Sequence, residues 1–95
     1  MFAYLGLSSE PAQVQGIAAD RVILKTDRCY APGLRTILEL VNDARTFKCV
    51  VFLRVEQVQS HSDGSYIWDA ELSRPLTADE LRCLGTSPLE VAPPR

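Results

Sequence analysis

Residues 64–84, GSYIWDAELSRPLTADELRCL, carry the strongest local structural signals in this chain. Aromatic or apolar side chains recur at every second position, at Tyr66, Trp68, Ala70 and Leu72, which is the period of a strand with one buried face. Pro75 ends this pattern, because proline has no backbone N–H to donate to a neighbouring strand. The first half of the stretch therefore predicts a β-strand, with Trp68 as an anchor of the core.

The second half of the same stretch predicts a short helix with a well-defined start. Thr77 and Glu80 have the spacing of a capping box, in which each side chain satisfies a free backbone N–H of the first turn. Leu76 and Leu81 are placed to form a hydrophobic staple, and Gly85 is a typical left-handed stop. A helix of about two turns is stable only when it is docked against other elements.

Four earlier segments also have strand character, namely residues 12–17, 21–26, 35–41 and 46–58. Turn signals separate them, including Pro32–Gly33, Asn42–Asp43–Ala44 and Asp63–Gly64. The short connections predict five to six antiparallel strands in meander order, and a small sheet of this kind closes into a barrel to remove its edges. The predicted fold is mainly β: a small antiparallel six-stranded β-barrel with one short C-terminal α-helix.

Two apolar segments have more than one interpretation. Residues 1–7, MFAYLGL, lack the basic region and cleavage site of a signal peptide, so we expect them to pack against the domain, with an edge strand or a dimer contact as alternatives. Residues 50–53 are apolar on both faces of a strand. Such a segment is covered from outside the barrel by a helix or loop, or it lies at an interface.

Composition narrows the classes of partner and the compartment. A net charge of −2 argues against broad binding to nucleic acid or to an anionic membrane. No apolar run approaches the roughly 20 residues of a membrane span, so no membrane insertion is expected. The three cysteines are odd in number and lack metal-ligand spacing, which is typical of reduced cysteines in a cytoplasmic protein.

Residues suited to catalysis or metal binding are sparse. His61 is the only histidine, and it lies in a polar loop without a companion ligand. Asp69 and Glu71 share one face of a strand, where a solvated pair is the simpler interpretation than acid–base chemistry. The sequence predicts neither an enzyme nor a metal site. It predicts a single domain over residues 1–88, followed by an extended Pro-rich tail over residues 89–95.

The order of these pieces resembles the PilZ domain of bacterial proteins. LSRPLTADEL, residues 72–81, is similar to the end of that domain, and DRCYAPGLRTILELV, residues 27–41, is similar to its central turn and following strand. The resemblance covers residues 10–85. It implies a PilZ-like β-barrel, and it implies cyclic di-GMP as the usual ligand, held by an arginine pair and by an Asp/Asn-x-Ser-x-x-Gly motif.

This chain departs from both ligand motifs. The alignment places Gly16 at the acidic position, Ala18 at the serine and Arg21 at the glycine, while no Lys or Arg precedes Arg21. The glycine that the family carries in its late strand falls at Asp69. An arginine segment upstream of Met1 and a partner that supplies the cations remain open as alternatives.

We therefore expect a non-enzymatic interaction module that needs no cofactor and that docks on a protein partner or on a second copy through a barrel face or an edge strand. The alternative is a cyclic di-GMP receptor with a rearranged basic site, in which Arg21 and Arg28 replace the lost arginines. The candidate anion patch consists of Arg21, Lys25, Arg28 and Arg35, for which scattered solvated side chains are the simpler interpretation. A barrel that binds single-stranded nucleic acid is a third hypothesis, but its basic, aromatic groove is not evident in an acidic chain with 7% aromatic residues.

Overall fold

The fold consists of six β-strands followed by one α-helix, in a computed structural model that describes residues 1–85. The predicted Pro-rich tail lies outside the described residues. In chain order the elements are β1 (Phe2–Leu5), β2 (Glu10–Ile17), β3 (Arg21–Thr26), β4 (Arg35–Val41), β5 (Lys48–Ser60), β6 (Tyr66–Leu72) and α1 (Ala78–Cys83).

The strands form a closed barrel in the order β1-β2-β3-β6-β5-β4, and β4 pairs with β1 to complete the circle. Every pairing is antiparallel. The predicted six-stranded antiparallel barrel with one short C-terminal helix is confirmed. The predicted meander order is wrong at one connection, because β3 pairs with β6 rather than with β4.

Residues 27–34 make that connection. The segment hydrogen-bonds to β5, where the Gly33 N–H donates to the Val55 carbonyl (2.7 Å) and the Val55 N–H donates to the Leu34 carbonyl (2.8 Å). This segment is long enough to carry the chain from β3 to the opposite side of the barrel, so β4 begins far from β3. A short loop at this point would have kept the two strands adjacent.

The N-terminal segment packs within the domain, as expected, and it does so as a full member of the barrel. β1 pairs with β2 on one side and with β4 on the other. The alternative of an edge strand is therefore wrong for residues 2–5. Ala3 and Leu5 point inward and are buried, and the Gly6 N–H donates to the Ile37 carbonyl at 2.9 Å.

The core is filled by inward-facing side chains of the strands. Trp68 is fully buried, which confirms its predicted role as a core anchor. Its indole N–H donates to the Arg28 carbonyl at 2.9 Å, and its ring packs on Tyr30 with the centroids 5.0 Å apart. The connection from β3 to β4 is thereby fastened to the core, because both Arg28 and Tyr30 belong to it.

The helix α1 starts with the predicted capping box. The Glu80 N–H donates to the Thr77 hydroxyl (3.1 Å), and the Thr77 N–H donates to a Glu80 carboxylate oxygen (2.9 Å). Leu81 and Leu84 are buried in the core cluster, and Gly85 follows with a φ of +95°. The same cluster includes Leu76, so the residues on both sides of the helix start anchor it to the barrel.

Candidate functional site

The three positions that the resemblance aligned with a ligand motif, Gly16, Ala18 and Arg21, lie around the turn between β2 and β3. Gly16 lies at a pairing irregularity of β2, opposite Ile23, and Ala18 donates its N–H to the Arg21 carbonyl at 2.8 Å. A Cβ atom at Gly16 would lie 3.8 Å from the Ile23 side chain, which is an ordinary contact. The turn therefore does not require a glycine at position 16 for backbone reasons.

The Arg21 guanidinium is held by two carboxylates of the same chain. One nitrogen donates to Glu56 at 2.6 Å, and the other donates to Asp69. These hydrogen bonds, first that with Glu56 and then that with Asp69, raise the pKa of Arg21 further above its usual value. Asp69, the residue that the resemblance aligned with a glycine, thus forms an ion pair with Arg21 inside the same chain.

Two other cations of the sequence-predicted basic site also have carboxylate partners. Lys25 lies 2.7 Å from Asp63, and Arg28 pairs with Glu10. The Lys25 ammonium, followed by hydrogen bonds from Ser65, lowers the pKa of the Asp63 carboxyl. Arg21, Lys25 and Arg28 thus lie at one side of the barrel, each in an ion pair.

Arg35 does not join that group. It begins β4, and three steps around the six-stranded barrel separate β4 from β3, which places the two strands on opposite sides. The structure therefore brings together three of the four cations and leaves Arg35 on a different surface. A sequence pattern could not show this separation, because it depends on the order of the strands.

A network of five charged side chains covers the outside of β3, β6 and β5. Arg54 donates to Glu56 (3.0 Å) and to Glu71 (2.8 Å), and Glu56 also accepts from Arg21. With Asp69, the network contains two cations and three carboxylates. Ion pairs on an exposed surface add little to stability. They do, however, leave few unpaired charges to bind a ligand on this wall of the barrel, the outer surface of β3, β6 and β5.

The neighbouring wall, formed by β4 and β5, exposes large apolar side chains. Val50 is 51% exposed and Phe52 is 57% exposed, in the middle of β5. Ile37 lies opposite Phe52 in the register, and Leu7, 92% exposed, follows β1 nearby. We call Leu7, Ile37, Val50 and Phe52 the outer apolar face. Residues 50–53 are apolar on both sides of the strand, and the expected covering helix or loop is not found among residues 1–85, since Val50 and Phe52 are exposed there.

A groove of about 970 Å³ runs along one end of the outer apolar face. Its floor and walls come from the start of β4, the middle of β5 and the end of β6. The lining residues are Leu7, Arg35, Thr36, Ile37, Phe52, Leu53, Arg54, Glu71, Leu72 and Ser73. The groove thus combines apolar side chains with charged groups at one end.

Two arginines face each other across the strands at that charged end. Arg35 and Arg54 are direct partners in the β4–β5 register. Glu56 and Glu71 compensate Arg54, whereas Arg35 forms no ion pair with any other residue between 1 and 85. The sequence pattern indicates Arg35 but not Arg54, and only the register between β4 and β5 connects them.

The cysteines and the histidine occupy structural or solvated positions. Cys49 is buried, and its thiol donates to Glu80 at 3.2 Å. Burial, followed by the contact with Glu80, raises the pKa of this thiol and disfavours the reactive thiolate. His61 lies 3.1 Å from Asp63 in the exposed hairpin loop. Within residues 1–85, no three His, Cys, Asp or Glu side chains are grouped to hold a metal ion, and no helix is long and apolar enough to cross a membrane.

Comparisons of the chain with protein-family models, with curated proteins and with solved structures find no match. The surface itself therefore supplies the evidence for function. Its two distinctive features are the outer apolar face with its groove on β4 and β5, and the ion network on the adjoining wall.

Proposed function

We propose that this chain is a non-enzymatic interaction module, a divergent PilZ-like barrel that binds a protein partner through the outer apolar face. The observation that carries the proposal is the exposure of Val50 and Phe52 at the centre of β5, beside a groove. Scattered apolar side chains are common on protein surfaces, whereas contiguous ones mark interaction sites. Here Ile37 and Phe52 are register partners, and both line the groove together with Leu7.

The mode of docking is through side chains rather than through a strand edge. Each of the six described strands has a hydrogen-bonded neighbour on both sides, so none offers a free edge to a partner strand. Burial of the outer apolar face supplies the driving force, at about 25 cal/mol per Å² of apolar surface removed from water. Loss of translational and rotational freedom offsets part of this gain, so affinity depends on how well the partner fits the groove.

The test begins by covalently crosslinking the chain to its partner in cells and identifying that partner. The purified partner is then titrated against the isolated chain to measure affinity. Phe52→Glu places a charge at the centre of the outer apolar face and is expected to weaken binding by at least about tenfold, as for a central interface residue. Gln59→Glu is the matched control, because it adds the same charge at an exposed position of the same strand, outside the face.

Thermal unfolding of both variants verifies that each one folds. Partner binding that is unchanged by both Phe52→Glu and Val50→Glu would refute the proposal. Sedimentation of the chain alone reveals a second copy as the partner, in which case Phe52→Glu is expected to shift a dimer toward monomer.

Under this proposal the chain does not bind cyclic di-GMP by itself. The three cations near the degenerate motif, Arg21, Lys25 and Arg28, each have a carboxylate partner, so an anionic ligand would have to displace an ion pair. Titration calorimetry with cyclic di-GMP is expected to give no heat of binding. Micromolar binding that Arg21→Ala abolishes would instead support the receptor alternative.

A further inference from the structure

We propose that the groove beside Phe52 binds an extended segment of the partner in which a carboxylate and an apolar side chain are two residues apart. The carboxylate lies between Arg35 and Arg54, and the apolar side chain packs on Ile37 and Phe52. This inference rests on the proposed interaction function and specifies the chemistry of the partner.

Arg35 and Arg54 face each other at the charged end of the groove. Like charges directly opposite each other on neighbouring strands are destabilising. Glu56 and Glu71 relieve this repulsion on the Arg54 side, while Arg35 has no carboxylate partner in the described part of the chain. Unfavourable local arrangements of this kind occur mainly at functional sites. A carboxylate from a bound partner would accept charge-assisted hydrogen bonds from both arginines and reduce their mutual repulsion.

The charged and apolar groups of the groove have the same spacing on both strands. Arg35 and Ile37 are two residues apart on β4, and Arg54 and Phe52 are two residues apart on β5. Residues at this separation on a strand point to the same side, about 6.6 Å apart. An extended segment that lies along the strands repeats the same spacing, so its carboxylate meets the arginines when its apolar side chain meets Ile37 and Phe52.

The openness of the groove favours a chain segment over a small ligand. Small-molecule sites enclose most of the surface of their ligand. Leu7 and Phe52 line this groove, and their exposed fractions are 92% and 57%. The groove is therefore too open to surround a small molecule. A chain segment that also contacts the rim suits this shape better.

A second copy of the chain is a weaker candidate, because its carboxylates on this wall are already paired. Glu71 accepts from Arg54 at 2.8 Å, and Glu39 lies 3.6 Å from Lys48. Docking of two copies face to face through this wall would have to break one of these pairs to supply a carboxylate to Arg35. The partner we infer brings its own acidic residue.

The experiment selects binders for the full chain from a display library of short random peptides. The expected result is an enriched pattern of Asp or Glu two positions from a large apolar residue. A synthetic peptide with that pattern is then titrated against the wild type, Arg35→Glu and Arg82→Glu. Arg82 lies on α1, outside the groove, and provides the same change of charge.

Arg35→Glu is expected to weaken peptide binding by at least about tenfold, whereas Arg82→Glu leaves it nearly unchanged. A peptide with Lys in place of its acid is expected to bind Arg35→Glu better than it binds the wild type. If circular dichroism shows that Arg35→Glu does not fold, Arg35→Gln replaces it and the loss of affinity remains the criterion.

Selected peptides that depend on Phe52 but not on Arg35 would overturn this inference and leave the proposed function standing. Peptides that depend on neither residue would overturn both. A library that yields no binder, or a dimer of the chain that Phe52→Glu disrupts, would also overturn the inference, since neither provides an acidic partner segment.

Discussion

At the scale of single residues, Glu80 connects three parts of the chain. Its carboxylate accepts from the Thr77 N–H at the helix start, from both terminal nitrogens of Arg74 (2.8 Å each) and from the buried Cys49 thiol on β5. The ion pair with Arg74, followed by the Thr77 N–H, lowers the pKa of Glu80 well below its usual range. The ionised carboxylate therefore holds the helix and the loop before it against the barrel.

Glu80→Gln is expected to change how stability depends on pH. A carboxyl group whose pKa is lower in the folded state stabilises the fold above its unfolded pKa of about 4.3, and the contribution disappears as pH falls toward the folded value. The wild type is thus expected to lose stability below about pH 4. Glu80→Gln is expected to be less stable than the wild type at pH 7, but to lose less stability than the wild type as the pH falls below about 4.

Urea unfolding at pH 7 and in acid, followed by circular dichroism, measures this difference. Glu39→Gln is the control, because it removes a carboxylate from β4 without touching the helix cap. Parallel loss of stability in the wild type and Glu80→Gln on acidification would contradict the assignment.

Trp68 provides a second test at this scale. Trp68→Phe keeps an aromatic ring but leaves a small cavity and removes the hydrogen bond to the Arg28 carbonyl. The expected loss is about 2 kcal/mol of the free energy of unfolding, from the cavity and the unpaired carbonyl together. Phe52→Ala removes a larger group than Trp68→Phe does, but from the exposed side of β5. Urea unfolding is therefore expected to show a smaller loss in the free energy of unfolding for Phe52→Ala than for Trp68→Phe. Equal losses in the two variants would contradict the contrast between core and surface.

At the scale of elements, periodicity predicted the strands well wherever one face is buried. β3, β4 and the alternating residues of β6 have the predicted bounds, because buried side chains alternate with more exposed ones throughout β3 and over most of β4 and β6. β2 starts two residues earlier than predicted, and β5 runs from Lys48 to Ser60 instead of over residues 46–58. β1 contains only four residues, which is too few for a period to identify it as a strand.

Two glycines test the difference between a required turn glycine and a replaceable one. Gly64, at the tip of the β5–β6 hairpin, has a φ of +88°, and Gly64→Ala is expected to cost about 1 kcal/mol through backbone strain alone, because a Cβ there meets no atom within 4 Å. Gly16 has no such φ, so Gly16→Ala is expected to be neutral or slightly stabilising. Thermal unfolding measures both, and a larger loss at Gly16 would show that the β2–β3 turn demands glycine after all.

At the scale of the whole molecule, local patterns indicated closure but not the order of strands. Antiparallel pairing follows from the short hairpins, whereas the β3–β6 and β1–β4 pairings join residues far apart in sequence. The candidate basic site illustrates the consequence. Proximity in sequence groups Arg35 with Arg21 and Lys25, yet the closed order of strands places Arg35 beside Arg54. The apolar character of residues 50–53 was visible in the sequence, but only the complete barrel shows which side chains remain uncovered.

Closure of the barrel depends on β1, because this strand joins β2 to β4. Tyr4 pairs with Pro11 on one side and with Glu39 on the other, and Tyr4→Pro introduces a ring and removes an N–H in the middle of this short strand. Opening the barrel there would expose edges of β2 and β4, which are ready templates for pairing with other chains. We expect Tyr4→Pro to lower the midpoint of urea unfolding and to sediment as larger species, while Tyr4→Thr, which keeps the N–H and a β-branched side chain, stays close to the wild type. A Tyr4→Pro protein as stable and as small in solution as Tyr4→Thr would mean that the other five strands hold together without closure through β1.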